Sequence, residues 1–121
     1  MRYVEQSKTE IFDHETSLIW QRAIAENITF DDAHAYAKLV SDGTGQSWRV
    51  PTIDELSSLL DRTRSFPASC FPDMPPLPFW SSSPYVGYPL FAWYVSFSDG
   101  LVDSGARGSD GAVRLVRDAI P

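Results

Sequence analysis

The run Trp48-Arg49-Val50-Pro51-Thr52-Ile53-Asp54-Glu55-Leu56 constrains the chain more than any other stretch. Thr52, followed three residues later by Glu55, forms the reciprocal cap in which each side chain accepts a hydrogen bond from an amide left over at a helix start. Beyond the cap, Ile53, Leu56, Leu59 and Leu60 fall on one narrow face at helical spacing, with Asp54, Glu55 and Ser58 turned away. Pro51 keeps its predecessor extended, because proline disfavours a helical residue ahead of it. The stretch predicts an extended segment carrying Trp48 and Val50 that runs directly into a capped helix on a core.

A core of that kind is within reach of 121 residues, read as one domain over 1–121, since a chain of this size buries roughly two-thirds of its unfolded surface. Apolar residues make up 43%, with four Trp, five Tyr and seven Phe, enough to fill it. No apolar run approaches the roughly 20 residues that span a bilayer, and no continuous apolar segment follows Met1–Gln6 as a signal peptide requires. Cys70 is the single cysteine, which excludes an internal disulfide and a cysteine-cluster metal site. The expectation is a cytoplasmic protein, or one exported without a cleaved signal. A net charge of −6 argues against direct nucleic-acid binding, which needs a basic face. Partners are expected to be neutral, basic or proteins, with no membrane contact.

Along the chain, Tyr3 to Gln21 reads as two strands around the polar turn Asp13–Ser17. His14 sits in that turn as a solvated residue, because adjacent turn side chains diverge and do not converge on a metal. Thr29 opens a first helix with Asp31 and Asp32 in its first turn and Phe30, Ala33, Tyr36, Ala37 and Val40 on one face. Gly43 is its expected stop, and His34 flanks the apolar face. The loop 42–47 has glycines but neither the Lys nor the preceding strand of a phosphate loop. Arg62 to Phe79 contains Pro67, Pro72, Pro75, Pro76 and Pro78. It must therefore wrap the surface as an ordered loop, held there by Phe66, Phe71, Met74, Leu77 and Phe79. Cys70 lies in it without the context of a thiol nucleophile. The last third reads as strands: Phe79–Ser83, then Ala92–Phe97 with Trp93, Val95 and Phe97 on one face, a turn at Ser98-Asp99-Gly100, Leu101–Ser104, and a closing strand Ala112–Arg117. Gly105–Gly111 is read as a glycine-rich loop.

Five phrases stand in a recognisable order: Phe12-Asp13 with Thr16-Ser17-Leu18-Ile19-Trp20-Gln21, Trp48–Thr52 with Glu55-Leu56, Trp80–Ser83, Ala92–Phe97 with Gly100, and Val113-Arg114 with Val116-Arg117. In this the chain resembles the Lcl C-terminal domain family from about Phe12 to Arg117. That resemblance implies an α+β, C-type lectin-like fold related to the formylglycine-generating and sulfatase-modifying proteins. Two helices would pack on a small antiparallel sheet joining the first and last strands, beside a long Pro-rich loop region. Ser17 stands where the family often has Gly, and Leu115 where many members carry a Cys, consistent with an intracellular version without disulfides. Trp20, Trp48 and Trp93 are expected in the core, and Trp80 at the core or at the edge of a binding surface.

The fold hosts binders and enzymes alike. The leading expectation is a non-catalytic module that recognises a protein or glycan partner, with no catalytic residues, no metal and no cofactor. Its binding residues would be Tyr85, Tyr88 and Phe91 as aromatic anchors, with Arg107 and Asp110 as adaptable polar contacts. Both loops would leave one sheet and meet at its end. The Glu-Pro-Asn or Gln-Pro-Asp and Trp-Asn-Asp triplets of calcium-dependent sugar binders are absent. The alternative is a small acidic regulator or inhibitor of a host or mobile-element protein machine. An oxidase like the formylglycine-generating enzymes is less favoured, because it needs a cysteine pair where this chain has Cys70 alone.

Overall fold

The computed structural model describes residues 1–119, so the last two residues of the expected domain span lie outside the described residues. In chain order the elements are β1 (Tyr3–Glu5), β2 (Glu10–Asp13), β3 (Leu18–Gln21), β4 (Ala25–Ile28), α1 (Phe30–Thr44), α2 (Ile53–Ser57), β5 (Pro78–Pro84), β6 (Phe91–Ser96), β7 (Val102–Ala106), β8 (Gly111–Val113) and β9 (Val116–Asp118). The architecture is α+β. One sheet runs β1-β2-β3-β9 and the other β4-β8-β5-β6-β7. Pairing is antiparallel except between β5 and β8.

Several expectations change in detail. The N-terminal segment holds three strands, since β1 adds to the β2–β3 hairpin, and the last strand pairs with β3 and not with the first. The expected closing strand is divided. Val113 ends β8 in one sheet, Arg114 and Leu115 cross over, and β9 joins the other sheet. The apolar run Leu18-Ile19-Trp20 is explained by burial on both faces: Leu18 and Trp20 belong to one core cluster with Leu56, Phe71 and Phe79, while Ile19 joins Ala33, Ala37, Trp48 and Val50 in another. The crossover repeats this pattern, with Ala112 and Val116 in the first cluster and Val113 and Leu115 in the second.

Arg114 sits in that crossover, buried, donating to the Gln21 and Arg22 carbonyls, with its guanidinium 4.5 Å from the Phe71 ring centre. Burial lowers its pKa to about 10, so it stays charged near neutral pH.

α1 starts as expected, with Thr29 accepting from the Asp32 amide, but it runs one residue past Gly43 to Thr44 and is capped by Gly45, whose φ of 73° terminates the helical hydrogen bonding. α2 is shorter than the apolar spacing suggested. Its capping box is complete, with the Thr52 amide 2.9 Å from Glu55 Oε1 and the Glu55 amide 3.2 Å from Thr52 Oγ1. The helix nevertheless ends at Ser57, and Leu59 is buried from the turn that follows. Arg49 donates to the Glu55 carboxylate at 2.8 Å and to Asp118 at 3.0 Å, and its backbone bridges to Val116. The junction is therefore bolted to β9.

The Pro-rich segment wraps as expected. Ala68 and Phe66 donate backbone hydrogen bonds to the Phe97 and Ser98 carbonyls, and Phe71 and Met74 plug the first core cluster, while Phe66 stays exposed. Trp20, Trp48 and Trp80 are buried. Trp93 corrects the sequence reading. It shares the parity of Val95 and Phe97 but lies at the loop end of β6, where Tyr85 covers one side of its ring and the rest is half-exposed.

Candidate binding site

The segment from Tyr85 to Leu90 that joins β5 to β6 is held by three backbone hydrogen bonds: Tyr85 to Phe91, Tyr88 to Tyr85, and Phe91 to Tyr88. Its rings form a chain. Tyr85 meets Trp93 edge-on at 4.9 Å and Tyr88 at 5.3 Å, and Tyr88 meets Phe91 at 6.4 Å. Such offset and edge contacts hold rings in place beyond simple burial. The outer surface of this chain of rings faces water, with Val86 at 89%, Leu90 at 75%, Tyr88 at 59% and Phe91 at 39% relative exposure. Four large apolar side chains in six residues make a patch, whereas single exposed apolar residues are ordinary.

Arg107 meets this loop, as the sequence suggested, but it is fully engaged. Its amide donates to the Leu90 carbonyl at 2.8 Å and its guanidinium to the Pro89 carbonyl at 3.2 Å and to Asp31 at 2.6 Å, while the guanidinium lies 4.5 Å over the Phe30 ring. These contacts make Arg107 a strut that fastens the loop to the start of α1. Tyr85, Tyr88, Phe91 and Arg107 are thus brought together. Asp110 is not with them. It lines a separate groove of about 430 Å³ on the face of the β5–β6–β7 ladder that carries Trp80 and Tyr94, toward the end where Pro78 pairs with Ser96. Val86 and Leu90 were missed as candidates because only aromatics were singled out; their place in a turn between two strands was the available signal. Trp80 and Tyr94 were legible as a cross-strand pair only once the register was known.

The remaining reactive groups are dispersed. The Cys70 thiol donates to Asp61 at 3.1 Å, and that hydrogen bond to a carboxylate pushes its pKa up, away from a nucleophilic thiolate. His14 packs on Phe12, and His34 hydrogen-bonds the Phe30 carbonyl within its own helix. Among the described residues no three His, Cys, Asp or Glu side chains gather as a metal site would require.

Residues 9–117 match the model of the Lcl C-terminal domain. The chain belongs to that family. No curated protein matches it. Several of the phrases that carry the likeness acquire physical reasons in this Lcl C-terminal domain. Asp13, fully buried, accepts from Arg2, from the Glu15 amide and from Thr16, and so builds the β2–β3 turn. Ser17 in that turn has φ of 58°, the left-handed conformation that glycine adopts without strain. Arg49 and Glu55 lock the capped helix to the last strand. These phrases of the Lcl C-terminal domain build scaffold, while the exposed apolar loop lies between two of them.

Proposed function

We propose that this chain is a non-catalytic binding module on a C-type lectin-like scaffold, and that it engages a protein partner through the Tyr85–Phe91 loop. The observation that carries the reading is the exposure of Val86, Tyr88, Leu90 and Phe91 on a loop whose backbone is already fixed. A fixed loop loses little conformational freedom on binding, so more of the burial energy appears as affinity. Burying a side chain of this size contributes about 1.5–3 kcal/mol. Four of them supply the gross energy from which micromolar binding, about 8 kcal/mol, can be drawn.

A protein partner is favoured over a glycan by Val86 and Leu90. Sugar rings stack on aromatic faces, but branched alkyl groups gain chiefly by burial against other apolar groups. The scaffold assignment is supported by family membership and by the α+β arrangement with its long Pro-rich loop. The non-catalytic reading is supported by the dispersal of His14, His34 and Cys70, each in a local structural contact.

Peptides selected from a display library on the wild-type chain test the reading. Leu90→Ser and Tyr88→Ser should each weaken the selected peptides about tenfold or more. Undiminished binding to both variants, or selective capture of glycans on an array through these two residues, would overturn it.

A further inference from the structure

The groove on the Trp80–Tyr94 face is a second site with a chemistry of its own. Its floor is aromatic because two positions on the neighbouring strands lack a Cβ. A Cβ on Gly105 would lie 3.2 Å from the Tyr94 ring, and one on Gly111 would lie 3.0 Å from the Trp80 indole nitrogen. Glycine at both positions leaves room for the two rings, which meet edge to face with centroids 6.3 Å apart, where a larger residue would displace them and fill the depression. Trp80 is fixed further by donating to the Ile28 carbonyl at 3.1 Å and by Phe30 edge-on at 5.8 Å. Tyr94, half-exposed, presents its ring to the groove.

The rim is acidic. Asp99 comes from the β6–β7 turn and Asp110 from the loop before β8, and the other lining side chains are neutral. Arg62 lies against Gly100 on the same turn but does not line the groove. Among the described residues neither Asp99, which accepts from the Leu101 amide at 3.1 Å, nor Asp110 is in a salt bridge, a state shared with Asp32, Asp54 and Asp103, whereas Asp13, Asp31, Asp61, Asp73 and Asp118 are each paired with an arginine. A groove whose open aromatic face is the Tyr94 ring, with Trp80 buried edge-on beside it and two carboxylates outside any salt bridge in its lining, is complementary to a planar cation on an apolar stem. The ring face attracts the cation, the carboxylates take its N–H groups, and the stem covers Leu101 and Pro78.

We infer that this groove receives an arginine side chain of a partner polypeptide. The site opens at the opposite end of the β5–β6 hairpin from Tyr88 and Leu90, so it stands whether or not the Tyr85–Phe91 loop binds a partner. A fully capped tri-arginine peptide serves as probe in a low-salt titration followed by amide and indole NMR correlation spectra. Saturable shifts are expected at the Trp80 indole N–H and at the Gly105 and Gly111 amides, with the isosteric tri-citrulline peptide giving none. Asp110→Asn and Asp99→Asn should each weaken binding about threefold or more, and Tyr94→Leu likewise, with dispersed spectra confirming that each variant is folded. Asp42→Asn removes the same charge from the far end of α1 and should leave affinity unchanged within error. Equal loss in Asp42→Asn, equal shifts with citrulline, or shifts confined to α1 would overturn the assignment and leave only diffuse attraction to an acidic protein.

Discussion

The capped junction from Trp48 to Leu59 and the loop from Tyr85 to Phe91 are both short, Pro-containing connections that abut β5, yet they treat water in opposite ways. At the junction Trp48, Val50, Leu56 and Leu59 are buried, and the polar groups answer one another: Thr52 to Glu55, Glu55 to Arg49, Arg49 to Asp118. The Ile53 amide even finds the Ser83 hydroxyl of β5. In the loop the backbone is likewise hydrogen-bonded to itself, but Val86, Tyr88 and Leu90 are exposed. Order without burial has no folding rationale, since apolar area gains nothing until it leaves water. That contrast separates scaffold from surface, and it can be probed from both sides.

The largest effect belongs to the scaffold. Asp13→Ala removes the buried acceptor of Arg2, the Glu15 amide and Thr16, and should cost about 3 kcal/mol in urea titration. An unchanged midpoint would show that the β2–β3 turn does not depend on it.

The same groups set the acid response. Burial works to raise Asp13 and Glu55. Hydrogen bonds from Arg2, Glu15 and Thr16 on the one hand, and from Arg49 and Thr52 on the other, outweigh it and hold both carboxylates below their usual range. Depressed carboxylates stabilise the fold fully above their unfolded values and lose that contribution as pH falls through the lower folded ones. Stability should thus be flat above about pH 5 and decline below about pH 4. With Asp13→Ala the decline should be shallower, and an equally steep decline would assign it to other groups.

A smaller effect is expected at the cap. Thr52→Ala should cost about 1 kcal/mol by orphaning the Glu55 amide. A larger loss would mean that Thr52 also holds Arg49 in place through Glu55.

The smallest effect on stability is expected in the loop, and it sharpens the contrast. Leu90→Ser should change the unfolding free energy by no more than about 0.5 kcal/mol, as surface changes do. A loss of 2 kcal/mol would identify Leu90 as a packing residue and remove it from the binding surface.

Much of the scaffold was legible because its signals are local. The capping pair three residues apart, the Thr29 helix start and the Ser98–Gly100 turn each lie within a few residues of sequence. What escaped depends on distant partners. β4 reads as polar Ala-Glu-Asn-Ile and exists because β8 pairs with it, and the Ala112–Arg117 run looks like one strand until two sheets share it. Trp93 looked like core because alternation reports the face a residue points to, not how far along the strand the cover extends. The aromatic loop was found from composition. The role of Arg107 as a strut was not, because Asp31 and Phe30 stand 76 and 77 residues away in sequence.

The central claim is that the loop binds and the junction supports. Its most direct test places a photo-reactive benzoylphenylalanine at position 88 or at position 54, on the exposed side of α2, in the native cell. The account predicts protein adducts from position 88 and none from position 54. Adducts from position 54 with position 88 silent would contradict it.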